Sequence, residues 1–436
     1  MKILKFGGAT LGSAAKIKKV AALIQKGNKN IIVLSAFEGT TNTLVEIADC
    51  LYKKKPEEAN KIIALLENKY SELISELYSI IEYKNLAEEL LKKHFSVIRS
   101  FPDSLFTLVD EKTMLAQGEL LSSSLMHLLL KERQANAALV PALDFMRTDK
   151  NSEPDPVYIK ERLYRQLEKH PNADIFITQG YICRNAYGEI DNLEREGSDY
   201  TATLIGAAVY AEEIQIWTDS DGMQNNDPHY VEHTSSIRYL QFEEAAELAY
   251  FGARILHPTC ILPAKLNNIP VHLLNAWNPE APGTVISNEM EIGKIKAVAA
   301  KDGITAIKIK SGRMLLAYGF LRKVFEIFEN YQTSIDMVVT SEVAVSVTID
   351  QTRHLNEILT DLNKYGTVSF DRNMTIICVV GDLDWDNLGF ESKVIQALKD
   401  VRVRMISYGG SNYSISFLIQ TEDKQRALQA LSDNLF

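Results

Sequence analysis

Lys2-Ile3-Leu4-Lys5-Phe6-Gly7-Gly8-Ala9-Thr10-Leu11-Gly12-Ser13 is the stretch on which the reading of the whole chain turns. An apolar strand runs into paired glycines and small hydroxyl residues, and an amphipathic helix is expected from Ala14 to about Gln25. That order brings backbone N–H groups, a helix N-terminus and a strand lysine to one point, which suits an anionic phosphate. Gly7-Gly8 followed by Gly12 matches neither the dinucleotide fingerprint nor the Walker loop, so a plain tight turn explains the stretch equally well.

From Lys2 to about Trp277, short runs rich in β-formers alternate with helical patterns. The runs are Ile31 to Leu34, Ala137 to Val140, Ile175 to Thr178, Ile214 to Trp217 and Val271 to Leu274; the helices include Thr201 to Ala211 and Phe242 to Phe251. Such alternation predicts an α/β fold, a mostly parallel sheet covered by helices on both faces, with ligands at the carboxyl ends of its strands. A charged helical excursion, about 56–100, interrupts the order and is expected to pack on the main domain without a catalytic role.

After Asn278 to Gly283 the texture changes. Strand Ile304 to Ile309, Gly319-Phe320, a helix to about Asn330, strands Ser334 to Val339 and Val343 to Ile349, and a helix form one unit. Thr375 to Val380, Gly389-Phe390, a helix to about Lys399, strands Val403 to Ser407 and Tyr413 to Ile419, and a last helix repeat it. A duplicated β-α-β unit follows, with Lys296 to Ala300 as a strand ahead of both repeats.

At 436 residues with 46% apolar and 24% charged side chains, two or three globular domains are expected. The formal charge of −10 disfavours nucleic acid and anionic membrane as main partners. No apolar run is long enough to span a bilayer and the N-terminus lacks signal-peptide features, so a cytoplasmic location is expected. Cys50, Cys183, Cys260 and Cys378 stand singly, which reads as free thiols rather than a metal site.

Three loops after strands concentrate polar residues. Ser35 to Asn42 offers hydroxyls and N–H groups to an anion, or simply an N-cap at Thr41 or Asn42. Glu194 to Thr201 combines an arginine with Ser198 and Asp199 at a helix start; a charged, capped loop accounts for the cap but not for the crowding of charges. Thr218 to Pro228 reads as a nucleotide loop or as an Asp/Gly turn, and lacks the glutamate at the twelfth position of a calcium loop. Glu119 is a candidate partner for a substrate ammonium, and His257-Pro258 is expected to be structural.

Taken together, Lys5-Phe6-Gly7-Gly8, Gly118-Glu119-Leu120, Thr178-Gln179-Gly180-Tyr181, Gly197-Ser198-Asp199-Tyr200-Thr201, Trp217-Thr218-Asp219, Asp227-Pro228 and Phe251 to Pro258 stand in the order found in aspartate kinases, which the chain resembles along nearly its whole length. The tail resembles the lysine-sensitive monofunctional type through Gly319-Phe320-Leu321, Thr340-Ser341-Glu342-Val343 and Met405 to Gly409.

The resemblance implies a three-layer αβα amino-acid-kinase domain over 1–290. Two ferredoxin-like ACT domains would follow over 291–436, the first about 303–370 and the second about 371–436 with strand 296–300. It implies ATP-dependent phosphorylation of L-aspartate to 4-phospho-L-aspartate with Mg2+, the first step toward lysine, threonine and methionine, in a cytoplasmic homodimer or larger homo-oligomer. A carboxylate acceptor is ionised at neutral pH, so catalysis reduces to positioning and charge neutralisation.

By the same resemblance Lys5 touches the transferring phosphoryl group and Gly7, Gly8 and Ser35 line the phosphates. Thr41, Glu119, Arg195 and Ser198 hold aspartate, and Asp199 organises Lys5 or the metal. Thr218, Asp219 and Arg254 lie on the nucleotide side. Gly319, Phe320, Leu321, Ser334, Asp336, Thr340, Ser341 and Glu342 surround a lysine effector, with Asp336 facing an ammonium. The chain departs from the family at Ala9 for threonine, Glu194 and Glu196 for glycines, Gln224 for an aromatic residue, His229 for arginine, Arg254 for lysine and Ala317 for serine. These departures bear mostly on nucleotide use. They leave two rival expectations, a non-catalytic amino-acid sensor and a kinase of another amino-acid carboxylate.

Overall fold

The computed structural model describes residues 1–25, 29–102, 105–193, 197–252, 257–289, 291–312 and 318–436. Packing divides them into two units, one of 1–223 with 256–288 and one of 224–255 with 289–436.

The first unit holds β1 (Lys2–Phe6), α1 (Ala14–Ile24), β2 (Asn30–Leu34), α2 (Thr40–Tyr52), α3 (Pro56–Leu77), α4 (Ile81–Ser100), α5 (Leu108–Glu132), β3 (Ala137–Leu139), α6 (Pro156–Glu168) and β4 (Ile175–Gln179). After these come the hairpin β5 (Ile182–Arg184) and β6 (Ile190–Asn192), then α7 (Gly197–Val209) and β7 (Ile214–Thr218). Beyond β8 (Tyr239–Gln241) and α8 (Phe242–Tyr250), which belong to the second unit, the chain returns with α9 (Pro258–Leu266), β9 (Val271–Asn275) and β10 (Thr284–Ser287). The sheet runs β3-β4-β2-β1-β7-β9-β10, parallel except for β10.

Strand alternation sorts the β1 side chains between two faces. Leu4 and Phe6 enter a core with Ile17, Leu44, Ile63, Phe95 and Leu125 from the α1–α5 side. Ile3 and Lys5 therefore face the α7 side, where Gly206 of α7 lets the helix close on Ile3 and Ile214. The excursion is two helices rather than one continuous pattern. The break falls at Ser79 and Ile80, whose N–H groups are both taken by the Glu132 carboxylate of α5.

In the second unit β11 (Ile295–Lys310), α10 (Phe320–Asn330), β12 (Val338–Thr340), β13 (Ala344–Ile349), α11 (Leu355–Leu362) and β14 (Thr367–Gly381) precede α12 (Phe390–Ala397), β15 (Val403–Ser407), β16 (Ser414–Gln420) and α13 (Lys424–Leu435). They build a six-stranded antiparallel sheet in the order β12-β13-β11-β14-β16-β15. The two strands expected over 296–300 and 304–309 are one, because β11 and β14 pair along their length and absorb Asp302-Gly303 as a register shift. Ser334 to Met337 lies outside strand geometry, and β12 is only three residues long.

Packing also places 224–255 with residues beyond 289, although the boundary expected from sequence lies near 290. Val231 shares a core with Val298, Ile377 and Leu428, and the Val298 N–H donates to the Asn225 carbonyl at 2.8 Å.

Candidate active site

Parallel register brings the carboxyl ends of β4, β2, β1 and β7 side by side, since Gln179 pairs with Leu34, Leu34 with Phe6 and Phe6 with Trp217. The Ser35 N–H donates to the Phe6 carbonyl and the Gly180 N–H to that of Leu34, so the loops leave the sheet in step. This is where such sheets bind ligands.

Lys5 reaches from β1 to the first turn of α7, and its ammonium lies 2.6 Å from Asp199 Oδ1 with both side chains buried. Gly7 lies beside that ammonium, where a Cβ would sit 3.4 Å from Lys5 Nζ, and a Cβ at Gly8 would lie equally close to the Ala36 carbonyl. Asp199 and Ser198 occupy a helix start, whose free N–H groups favour negative charge.

Glu119 projects from α5 and is 3% exposed. Oε1 accepts from the Ala36 N–H at 3.2 Å, whereas Oε2 is buried without a hydrogen-bond partner among the described residues. Burial pushes its pKa up to about 8, against the pull of the Ala36 N–H. Such a carboxylate is short of one cationic donor. Gly118 makes its position possible, because a Cβ there would stand 2.9 Å from the Ala36 Cβ.

Ser35 is fixed by Ser122, whose hydroxyl donates to the Ser35 carbonyl at 2.8 Å. Thr41 is half-buried in the first turn of α2, beside Thr40, whose hydroxyl meets the Tyr70 hydroxyl at 2.9 Å. Thr218 ends β7, its hydroxyl donating to Asp219, which is exposed. Arg195 and Arg254 lie outside the described residues, as do Glu194, Glu196 and Ala317.

Three features escaped the sequence reading. Gln179 bridges the Ala142 N–H and the Ser123 hydroxyl, holding the end of β4. Tyr181 follows in the left-handed region at φ +67° and packs against Gly197. Its hydroxyl pKa is raised by burial and then by Glu119. The signal for both was the quoted Thr-Gln-Gly-Tyr motif. Gly180 faces Ser198, and a Cβ there would lie 2.5 Å from the Ser198 Cβ. Gly180→Ala is therefore expected to cost about 1–3 kcal/mol in urea unfolding; an unchanged midpoint would contradict this packing.

Three side chains of the 218–228 loop hold backbone N–H groups. Asp221 accepts from the Gly283 N–H, Asn225 from Ser235 and Asp227 from His229. Among the described residues no three His, Cys, Asp or Glu side chains converge as a metal cage. His257 caps α9 by accepting from the Thr259 N–H.

In the second unit Gly319, at φ +82°, starts α10, Phe320 is buried and Leu321 is partly exposed. Thr340 at the end of β12 and Ser341 and Glu342 in the turn after it are exposed at the sheet end where β11 finishes. Asp336 lies toward the other end, its N–H on the Thr348 carbonyl, and Ser334 nearby is exposed. Asp336 does face an ammonium, but that of Lys301 in its own chain, at 2.7 Å.

The amino acid kinase family profile matches residues 1–275 and an ACT domain profile matches 377–435. The lysine-sensitive aspartokinase 3 of Escherichia coli (strain K12) is 32% identical, over 100% of this chain and 99% of that protein. The chain belongs to the amino acid kinase family, in its aspartokinase branch. The chloroplastic aspartokinase 1 of Arabidopsis thaliana is 33% identical, over 100% of this chain and 80% of its own. The solved E. coli aspartokinase III in complex with aspartate and ADP superposes with a TM-score of 0.86 at 30% identity, covering both chains fully. The same enzyme with lysine and aspartate gives 0.81 at 31%, over 100% of this chain and 99% of the other. Among the described residues no helix is long and apolar enough to cross a membrane.

Proposed function

We propose that this chain transfers the γ-phosphoryl group of ATP to the side-chain carboxylate of L-aspartate, releasing ADP and 4-phospho-L-aspartate, at the carboxyl ends of β1, β2, β4 and β7. The observation that carries the reading is a pair of buried ionisable groups there, a lysine ammonium held by Asp199 and a glutamate with one oxygen that has no donor among the described residues. The first suits an anionic phosphoryl group and the second an amino-acid ammonium.

Lys5 neutralises the transferring group as the two anions approach, Gly7 and Gly8 leave it room, and Ser35 and Ser198 offer hydroxyls. Glu119 and Thr41 seat the amino acid, with Arg195 as the residue for its carboxylate. Thr218, Asp219 and Arg254 are assigned to the nucleotide side. Magnesium binds with few protein ligands, mostly through phosphates and water. Asp199 and Asp219 are the carboxylates at hand, and the ion supplies charge neutralisation on the phosphates.

The ACT region is assigned lysine feedback, in a homodimer or larger assembly in the cytoplasm, supported by relatives that are lysine-sensitive or solved with lysine. Its effector residues are Gly319, Phe320, Leu321, Ser334, Asp336, Thr340, Ser341 and Glu342.

Aspartyl hydroxamate formation with ATP and Mg2+, with and without lysine, tests the function. Folded protein without aspartate-dependent turnover would favour the sensor reading instead. Tyr70→Phe leaves the Thr40 hydroxyl buried without its partner and loosens the turn carrying Thr41, so KM for aspartate is expected to rise about three- to tenfold with kcat within twofold. Equal changes in KM for ATP would show that Tyr70 serves the fold at large.

A further inference from the structure

Asp336 sits between α10 and β12 with its side chain 1% exposed. Its Oδ1 takes the Lys301 ammonium at 2.7 Å and the Tyr250 hydroxyl at 2.8 Å. Its Oδ2 is buried and has no hydrogen-bond partner among the described residues. Lys301, from β11, also lies 2.9 Å from Asp350 Oδ2 and 4.5 Å over the Tyr250 ring. Two carboxylates thus share one ammonium, and the cluster keeps a formal charge of −1. A buried carboxylate oxygen without a donor is costly, and an entering ammonium would satisfy both the oxygen and the charge. Burial opposes the charge on Lys301, but its bonds to Asp336 and Asp350 prevail and raise its pKa.

We propose that Lys301 sets the affinity of the effector subsite: by neutralising Asp336 from within the chain, it weakens that carboxylate's attraction for the ammonium of a bound amino acid. The inference rests on the reading of Asp336 as an effector residue and adds the residue that tunes it. The ligand class is an amino acid with a primary ammonium at the end of its side chain. Without Lys301 two carboxylates face each other with no counter-ion, and the site draws a free ammonium more strongly.

The test is calorimetric titration of the full chain and of Lys301→Met, which keeps the length and loses the charge, with L-lysine and with norleucine, which lacks the side-chain ammonium. Lysine is expected to bind Lys301→Met at least about tenfold more tightly, with norleucine within twofold and uninhibited turnover unchanged. A lysine Kd that is unchanged or weaker in Lys301→Met would overturn the proposal while leaving lysine as effector. Thermal shift with n-butylammonium, which has no amino-acid head group, separates the two ideas. Stabilisation of Lys301→Met, absent in Lys301→Met/Asp336→Asn, would support the tuning role even if lysine itself never bound and the effector reading fell. No stabilisation, in Lys301→Met or in Lys301→Gln should the first fold poorly, would overturn it.

Discussion

Lys5→Ala is expected to lower kcat by about a hundred- to a thousandfold while aspartate binding stays within about threefold. The estimate follows from removing one preorganised donor at developing charge, which costs about 2.7–4 kcal/mol. The Lys5 ammonium is held by Asp199, whereas the Glu119 carboxylate assigned to the substrate ammonium is held by the Ala36 N–H, so binding and turnover should separate. The variant also strands the buried Asp199 carboxylate, and breaking such a pair costs about 3–5 kcal/mol of stability. Lys5→Ala/Asp199→Asn removes both charges and should recover much of that stability without recovering turnover. Stopped turnover in both proteins, with calorimetry showing aspartate still bound, is the expected result. Loss of aspartate binding in step with kcat would show that Lys5 belongs to the acceptor rather than to the phosphoryl group.

How far the sequence reached is clear from this pair. Strand alternation alone sends Lys5 to the face opposite Leu4 and Phe6, and a helix opening at Ser198-Asp199 packs on that face. Period and punctuation suffice for that, because both partners sit at element ends. Glu119 was legible as a candidate but not as a perturbed acid, since its environment comes from Ala36, eighty-three residues away. The break at Ser79 and Ile80 depends on Glu132, also distant, and local helix propensity carries no trace of it. Lys301-Asp302-Gly303 has the composition of a turn, yet pairing along β14 carries the strand through it. The Lys301–Asp336 contact joins residues thirty-five apart and defeats any spacing argument.

Glu119→Gln is expected to raise KM for aspartate about a hundredfold and, at the same time, to stabilise the ligand-free protein at alkaline pH. The first effect follows from truncating one partner of a buried charge pair, about 2–5 kcal/mol. The second follows from linkage. Burial raises the Glu119 pKa to about 8 in the fold, well above its ordinary value, so the folded state holds the proton longer than the unfolded chain does. The contribution to stability is therefore full at acid pH, below the ordinary glutamate range, and is lost as pH rises through about 8. Glutamine has no proton to lose, and the difference in Tm between Glu119→Gln and wild type should grow from pH 6 to pH 9. The same ionisation governs catalysis, because only the carboxylate attracts an ammonium. In the wild type kcat/KM for aspartate should fall about tenfold for each pH unit below 8, while the Glu119→Gln profile lacks that limb. A shared limb in both proteins would assign the proton to another group and leave Glu119 with packing alone.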